Sequence, residues 1–370
     1  MSMPRVGIVS TSMTQLRPAW DSAQHIDLIS AVVLDVFKGT GLTLDDVDFI
    51  IDSGSDVLDG RSISNCGFLG ALGAHHKEEA RVEEDGLWAA LYGVNKIRAG
   101  SSSVGLIVAY SKPSESRDID LYWGSMVEPF YQRPVGFGQK AALGMQAQRY
   151  FAAHGIDGKD AAALVARRWA AAAEGGQVAI DAVPDSDAVL ASAEAAAPLT
   201  DLMISRPVDG AVAMLLSTED IAARLGRAPA IITGMGTSME THAFSARSAN
   251  QLESVAKAAA MAGAKAGWKP SEADVAEVSA SSAVGELLVL EGLGLAGAGK
   301  GLDAAMSDKV NRSGGALPAD PLMATGLVRL AEAYKQLSQP HAGANAPRRA
   351  VVHGTGGVAM QTNCVFTLEV

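Results

Sequence analysis

The chain repeats itself at a fixed spacing. The segment VGIVSTSM, which begins at Val6, resembles ITGMGTSM, which begins at Ile232, and both end in Thr-Ser-Met. GLTLDDVDFI, beginning at Gly41, and GWKPSEADVA, beginning at Gly267, are separated by the same 226 residues. Two matches at one spacing favour a duplicated supersecondary unit over the general strand–helix rhythm that unrelated α/β proteins share.

Each copy has the pattern strand–helix–strand–helix–strand. An apolar strand is followed by a helical stretch, a glycine, an acidic turn and a second strand. A further match pairs DGLWAALYGVNKI with TGLVRLAEAYKQL and places Gly86 opposite Gly326. The offset there is 240, so about fourteen residues enter the second copy in between. This alternation predicts an α/β fold with helices covering a mostly parallel sheet.

A long insertion separates the two copies. We expect a first half formed by residues 1–117 and 206–228, an insertion over 118–205 and a second half over 229–370. The insertion combines an Ala-rich helical stretch with LYWGSMVEPFYQRPVGFG, which holds five of the nineteen aromatic residues of the chain. Such a cluster indicates a packed mini-core, an oligomer contact or a ligand-facing surface.

Composition excludes several classes of function. A formal charge of −11 argues against a nucleic-acid or anionic-membrane partner, because both require clustered Lys and Arg. The start, MSMPRVGIVSTSM, lacks the basic and apolar regions of a signal peptide, and no apolar run reaches the roughly 20 residues that span a bilayer. Cys66 and Cys364 are the only cysteines, without disulfide or metal-ligand spacing. We therefore expect a cytoplasmic protein without a metal site.

Three motifs, in this order, resemble the thiolase superfamily. PLTDLMISRPVDGAVAMLLST resembles the segment that closes the first half of sterol-carrier-protein-type thiolases, and NRSGGALPADPLMATG resembles the N-x-x-G-G, H-P and A-T/S-G stretch. HGTGGVAM is similar to the C-terminal glycine turn. The resemblance covers nearly the whole chain and extends to "lipid-transfer" thiolase-like proteins. It implies a five-layered αβαβα sandwich, in which two sheets enclose a shared helical layer, and a dimer formed through the first half.

The resemblance also implies that the nucleophile of ordinary thiolases is replaced. Their C-x-S-G motif, in which a helix N-terminus favours the thiolate, falls on Glu83, Glu84, Asp85 and Gly86. Glu83 and Asp85 are candidate catalytic groups, although carboxylates at this position are also ordinary helix caps. Cys66 lies seventeen residues before Glu83, so we expect no acyl-cysteine step.

The other catalytic positions of the family are altered as well. Asp320 stands where G-H-P has its histidine, and it is either a base or a cap before Pro321. His353 replaces the second cysteine, a substitution common in the sterol-carrier branch, and is a candidate acid or base near neutral pH. The H-D/E-A-F stretch reads SASS over Ser279 to Ser282.

The remaining chemistry suits carbon–carbon bond cleavage on a coenzyme A thioester. Gly354, Gly356 and Gly357 permit the close backbone approach that an oxyanion site requires. By resemblance to sterol side-chain aldolases of this fold, which use tyrosines and a small zinc-ribbon/OB-fold partner, a retro-aldol reaction needs a base and an enolate site. Asp320, His353, Glu83 and Asp85 are the candidate bases, and the sequence places no tyrosine beside them.

Two functions follow from the resemblance. One is an aldolase or atypical acyltransferase that takes a coenzyme A thioester as its substrate, has no covalently bound cofactor, and works as a homodimer or with the zinc-ribbon/OB-fold partner. The alternative is a non-catalytic subunit in a hetero-oligomer with a second, cysteine-bearing thiolase-like chain.

Overall fold

A computed structural model describes residues 3–116, 118–225, 229–339 and 346–370. Its strands, in chain order, are β1 Val6–Met13, β2 Phe49–Ser53, β3 Glu78–Val82, β4 Val104–Ser111, β5 Glu194–Ala196, β6 Leu199–Thr200, β7 Gly210–Thr218, β8 Ala230–Met239, β9 Val275–Val278, β10 Arg349–Gly356 and β11 Thr362–Glu369.

The α-helices belong both to the two halves and to the insertion. In chain order they are α1 His25–Asp35, α2 Asp56–Asp59, α3 Leu69–Leu72, α4 Gly86–Arg98, α5 Ile119–Ser125, α6 Gln139–His154, α7 Gly158–Gly175, α8 Ser186–Ala191, α9 Glu219–Arg224, α10 Glu253–Ala266, α11 Ala283–Gly292, α12 Gly301–Ala305 and α13 Thr325–Ser338.

The duplication predicted from the sequence is confirmed in detail. β1 corresponds to β8, α1 to α10 and β2 to β9, and α4 corresponds to α13 at the larger offset. Gly41 and Gly267 both adopt a left-handed conformation, with φ of 80° and 78°, after the first helix of their copies. Each is followed by a 3₁₀ turn, Leu44–Asp46 in one copy and Pro270–Glu272 in the other. The two acidic turns therefore occupy equivalent places in two copies of one unit.

The sheet is mixed, so the prediction of a mostly parallel sheet was wrong. Hydrogen bonds join nine strands in the order β3-β2-β4-β7-β1-β8-β11-β10-β9. Only β2–β3, β2–β4 and β9–β10 are parallel. The last strand of each half, β7 or β11, runs back antiparallel along its neighbour, and this reversal is not encoded in a strand–helix pattern. β1 and β8 pair at only two residue positions, which links the two halves into one sheet.

The layers follow from the alternation of buried side chains along the strands. In β2, Ile51 packs between the halves against α4 and α13, whereas Ile50 packs outward against α1. In β10, Val352 faces the same central layer and Val351 faces α10 and α11. Side chains of successive strand residues point to opposite faces, so each half of the sheet buries both faces. The result is the expected order of helix, sheet, helix, sheet, helix.

The insertion contributes α5 to α8 and packs mainly on the second half. Its buried residues, including Tyr150 and Leu164, join the cluster that contains Leu287 of α11. Arg168 of α7 forms a buried ion pair with Glu286 of α11, with Nη2 2.5 Å from Oε1. No helix in the described ranges is long and apolar enough to cross a bilayer.

Candidate active site

A single buried carboxylate connects the N-termini of the two central helices. Asp85 is the N-cap of α4, and its Oδ1 accepts a hydrogen bond from the Leu87 amide at 2.9 Å. Its Oδ2 accepts a second hydrogen bond from the Gly326 amide, in the first turn of α13, at 2.6 Å. A Cβ atom at Gly326 would collide with Asp85 Oδ1, and one at Gly354 would lie 2.7 Å from the same atom. Both glycines are therefore required by the close approach of this carboxylate.

Burial makes Asp85 a weak acid. Removing the carboxylate from water disfavours its charged form and raises its pKa to about 8, although the two amide donors oppose the shift. The nearby carboxylates of Glu84 and Asp320 raise it further. Burial thus favours the protonated form of Asp85 against the two amide hydrogen bonds that favour the carboxylate.

Glu84, rather than Glu83, faces the same region. The Glu84 carboxylate packs against Gly356, and its Oε1 accepts long hydrogen bonds from Thr362 Oγ1 at 3.3 Å and the Asp85 amide at 3.4 Å. Burial raises the pKa of Glu84. The Glu83 side chain is exposed, and it accepts hydrogen bonds from the Asp56 amide and Arg81 Nε.

The sequence reasoning therefore selected Glu83 and missed Glu84. Glu84 and the adjacent cap Asp85 both line the cavity, and burial along β3 does not alternate, so no local pattern in the sequence separates the two glutamates.

Asp320 lies in the wall of the same region, as expected for the position of the family's histidine. Its Oδ2 accepts a hydrogen bond from Ser205 Oγ at 2.6 Å. Its Oδ1 accepts from Thr325 Oγ1 at 2.5 Å and from the Leu322 amide at 3.1 Å. Burial raises the pKa of Asp320. Asp320 is thus both a local cap and a side chain that joins the end of the insertion to the second half.

The structure does not bring the His353 imidazole to the carboxylates. His353 alternates with Gly354 along β10, and Gly354 faces Asp85, so the imidazole points away from the central helices. Its Nδ1 lies 3.1 Å from the Ser279 carbonyl oxygen and its Nε2 lies 2.9 Å from Asn363 Oδ1. The ring is fully buried, which lowers its pKa to about 4.

A small cavity of about 30 Å³ lies between the carboxylates and the glycine turn. Its wall contains Glu84, Asp85, Tyr122, Trp123, Ser279, Ser281, Asp320, Thr325, Thr355, Gly356 and Gly357. Ser279 Oγ is buried without a hydrogen-bond partner among the described residues. The Tyr122 hydroxyl donates only to the Met323 sulfur, at 3.4 Å, and burial raises the pKa of Tyr122. The cavity thus combines three carboxyl groups with several hydroxyl groups, among them those of Ser279 and Tyr122.

Tyr122 lines the cavity although the sequence analysis did not select it. It belongs to the aromatic segment of the insertion, for which a ligand-facing role was one of the alternatives. No local pattern shows that α5 packs over the second-half loop at Leu322 and Met323. A contact between residues about 200 positions apart depends on the tertiary fold.

A larger, mostly apolar cavity adjoins the first one. Its volume is about 330 Å³, and it shares Trp123, Ser281 and Leu322 with the small cavity. The insertion supplies most of its wall, including Trp169 and Ile204. A volume of this size is within the range of small-molecule binding sites.

Neither cysteine lines the small cavity. Cys66 is exposed in the 3₁₀ turn Ser64–Gly67. Cys364 lies on β11 opposite Gly354 and is fully buried in the central core. Burial, together with the nearby Asp85 and Glu84, raises the pKa of the Cys364 thiol, which makes it a poor nucleophile. Within the described residues no cluster of three His, Cys, Asp or Glu side chains is arranged to hold a metal ion.

Comparison with known proteins supports the same fold. The family model described as thiolase C-terminal domain-like matches residues 236–368. Sterol carrier protein 2 of Gallus gallus is 32% identical over 198 residues, which is 48% of this chain and 36% of the length of that relative. The chain thus spans little more than a third of the curated relative that it matches.

Solved structures extend the likeness to the whole chain. The Ltp2-ChsH2(DUF35) aldolase has a TM-score of 0.81 at 18% identity, covering 99% of this chain and 98% of that one. Human mitochondrial 3-ketoacyl-CoA thiolase has a TM-score of 0.75 at 17% identity, covering 100% and 99%. Its complex with CoA also has a TM-score of 0.75, at 18% identity, covering 100% and 98%. The chain therefore has the fold of the thiolases throughout, and its residues 236–368, which include the glycine turn of the candidate site, match the thiolase C-terminal domain-like family.

Proposed function

We propose that this chain cleaves a carbon–carbon bond in β-hydroxyacyl-coenzyme A thioesters by a retro-aldol reaction, without an acyl-cysteine. The observation that carries the proposal is the set of three carboxyl groups with raised pKa, two of them buried and Glu84 partly buried, together with a phenol around one cavity that neither cysteine lines. The likeness in fold to an aldolase adds support.

The reaction requires a base at the β-hydroxyl group. Glu84 suits this role, because among the described residues its carboxylate accepts two long hydrogen bonds and burial raises its pKa, which makes it a stronger base. The Tyr122 hydroxyl, whose only acceptor is a sulfur atom, is free to orient the substrate hydroxyl. Removal of the hydroxyl proton by Glu84 starts the cleavage.

Cleavage then produces an enolate that must be stabilised and protonated. The electron pair of the Cα–Cβ bond moves to the thioester carbonyl oxygen while Cβ becomes the carbonyl carbon of the second product. Ser279 Oγ, which has no partner, donates to the developing oxyanion beside the Gly356–Gly357 backbone. Asp85, with a pKa of about 8, returns a proton to Cα and yields a shortened acyl thioester.

The adjoining cavity suits the apolar part of the substrate. It is much larger than the reactive cavity and shares Trp123, Ser281 and Leu322 with it. We expect an apolar arm of the thioester in the larger cavity and the reacting carbons at the small one, which has room for about one water molecule and must widen when the substrate binds. Coenzyme A is then part of the substrate, and the protein acts as a homodimer or with a zinc-ribbon/OB-fold partner.

A non-catalytic subunit is the second candidate function. A cavity of about 30 Å³ holds roughly one water molecule, and its wall contains carboxyl groups and neither cysteine. This favours a chain that completes a complex with a cysteine-bearing thiolase-like protein.

One assay separates the two functions. The purified chain, alone and with each candidate partner, is incubated with a panel of linear and ring-bearing 3-hydroxyacyl-CoA thioesters, and carbonyl products are measured by mass spectrometry. The aldolase proposal expects, from 3-hydroxydecanoyl-CoA for example, octanal and acetyl-CoA in equal amounts. The subunit function is supported instead if this chain is inert in every combination and the activity of a complex comes from the partner chain alone.

A further inference from the structure

His353 holds both backbone polar groups of a residue that lines the reactive cavity. The Ser279 amide donates to the His353 carbonyl oxygen at 3.0 Å. The Ser279 carbonyl oxygen lies 3.1 Å from His353 Nδ1. Ser279 follows directly after β9, and its hydroxyl is the unpartnered donor of the cavity wall. One histidine therefore fixes the backbone that carries this hydroxyl.

The imidazole is itself anchored by a chain of hydrogen bonds. Asn363 Oδ1 lies 2.9 Å from His353 Nε2, and Asn363 Nδ2 donates to Ser254 Oγ at 2.7 Å and to the Met360 carbonyl at 3.0 Å. Ser254 Oγ in turn donates to Glu240 Oε1 at 2.6 Å. The chain crosses from β10 through β11 to α10 and ends at a partly exposed carboxylate. The position of Ser279 is thereby tied to three elements of the second half.

The partners of the ring show that it does not face a substrate. The Met360 carbonyl oxygen can only accept, so Asn363 must direct its amide nitrogen there and its oxygen toward His353. The Ser279 carbonyl oxygen also only accepts. Both ring nitrogens are therefore turned toward protein oxygens, and the neutral ring, which has one N–H, donates to one of them. The ring is fully buried, and neither nitrogen faces the cavity.

We infer that His353 is a positioning residue that acts through Ser279 and not a catalytic acid or base. The inference rests on the proposed function, because Ser279 is assigned there as the oxyanion donor. It reassigns the histidine that the motif comparison selects as catalytic. A hydroxyl displaced by about an ångström loses much of its effect on a transition state.

A double-mutant cycle tests the inference with the thioester panel. His353→Phe keeps a flat ring without its nitrogens, and we expect kcat to fall roughly tenfold to a hundredfold with KM within about threefold of wild type. Ser279→Ala should give a similar loss. Because His353 acts through Ser279, the double variant should be no more than about threefold slower than Ser279→Ala alone. Losses that multiply would overturn the inference.

Conservative and control variants keep the outcome decisive. His353→Gln, whose amide can supply one of the two hydrogen bonds, should recover most of kcat, and it carries the cycle if His353→Phe does not fold. His75→Asn, on an exposed turn, should behave as wild type. If both His353 variants kept the kcat of wild type, the positioning role would be wrong, whereas the proposed function would stand. A wild-type protein that neither cleaves nor binds any thioester of the panel would sink the proposed function, and this inference with it.

Discussion

The two copies of the repeated unit meet at the starts of their central helices, and they differ there in chemistry. Matching Gly86 with Gly326 places Asp85 opposite Thr325 and Glu84 opposite Ala324. The first copy has Glu84 and Asp85 at its helix start. The second copy has there the Gly326 amide, which donates to Asp85, and Thr325, whose hydroxyl donates to Asp320 of the same copy. Two acidic helix starts that face each other would repel, so only one copy carries carboxylates at its helix start. The duplication therefore provides the backbone of the site, and the sequence difference between the two helix starts provides its chemistry.

The largest expected effect concerns the two adjacent glutamates of the first copy. Glu84→Gln keeps the shape of the side chain and removes the base, so we expect kcat for 3-hydroxyacyl-CoA cleavage to fall by roughly a hundredfold or more. Glu83→Gln, one residue away but outside the cavity, is the matched control and should stay within about twofold of wild type. The reverse ranking, with Glu83 essential and Glu84 dispensable, would show that the helix start presents a different side chain to the substrate.

The next effect concerns the contact between the copies. In Gly326→Ala the new Cβ atom would collide with Asp85 Oδ1, and it would lie 2.9 Å from Leu87 Cβ. We expect a loss of about 3 kcal/mol in the free energy of unfolding, measured by urea denaturation. Gly175→Ala is the control, because the new Cβ of this residue at the end of α7 would meet nothing within 4 Å. It should change stability by less than about 1 kcal/mol. Equal stability of the two variants would contradict the close approach of Asp85 to the second helix.

A smaller effect is the pH dependence of stability that Asp85 introduces. Its pKa is about 8 in the folded protein and near 3.8 when unperturbed, so the folded state binds the proton more tightly. The associated stability is fully present below about pH 4 and is lost as the pH rises through 8.

Asp85→Asn removes this titration, so its free energy of unfolding should decline less steeply between pH 4 and 8 than that of wild type. Urea titrations at each pH measure the slope. The variant also places an amide NH₂ against one of two backbone N–H donors, which should lower its stability by roughly 1–3 kcal/mol at low pH. Parallel curves for the two proteins would show that Asp85 is ionised in the folded state at neutral pH.

The sequence predicted the backbone features of this site better than the side chains that line it. The repeat spacing identified Gly41, Gly267, Gly86 and Gly326, because a glycine that a backbone conformation or a close contact requires recurs at the same place in both copies. Two of its candidate residues, Asp85 and Asp320, lie in the cavity wall, and each stands next to a helix start or a glycine-rich loop. It selected Glu83 and not Glu84, and the imidazole of its candidate His353 does not line the cavity. The face of a strand on which a side chain lies depends on the register of strand pairing, which a short motif match does not give.

The smallest expected effect is on thiol chemistry. We expect no thiolysis of 3-ketoacyl-CoA by this chain alone, measured as release of acetyl-CoA, and no change in any activity on Cys66→Ser, because Cys66 is exposed in a turn of the first half and does not line the cavity. Cys364→Ser tests the other thiol: it lies beside Gly354 in the core, where burial raises its pKa, so substitution should affect stability and not turnover. Thiolysis abolished by either substitution would mean that a thiol reaches the substrate, and the carboxylates of the first copy would then be caps with no part in the reaction.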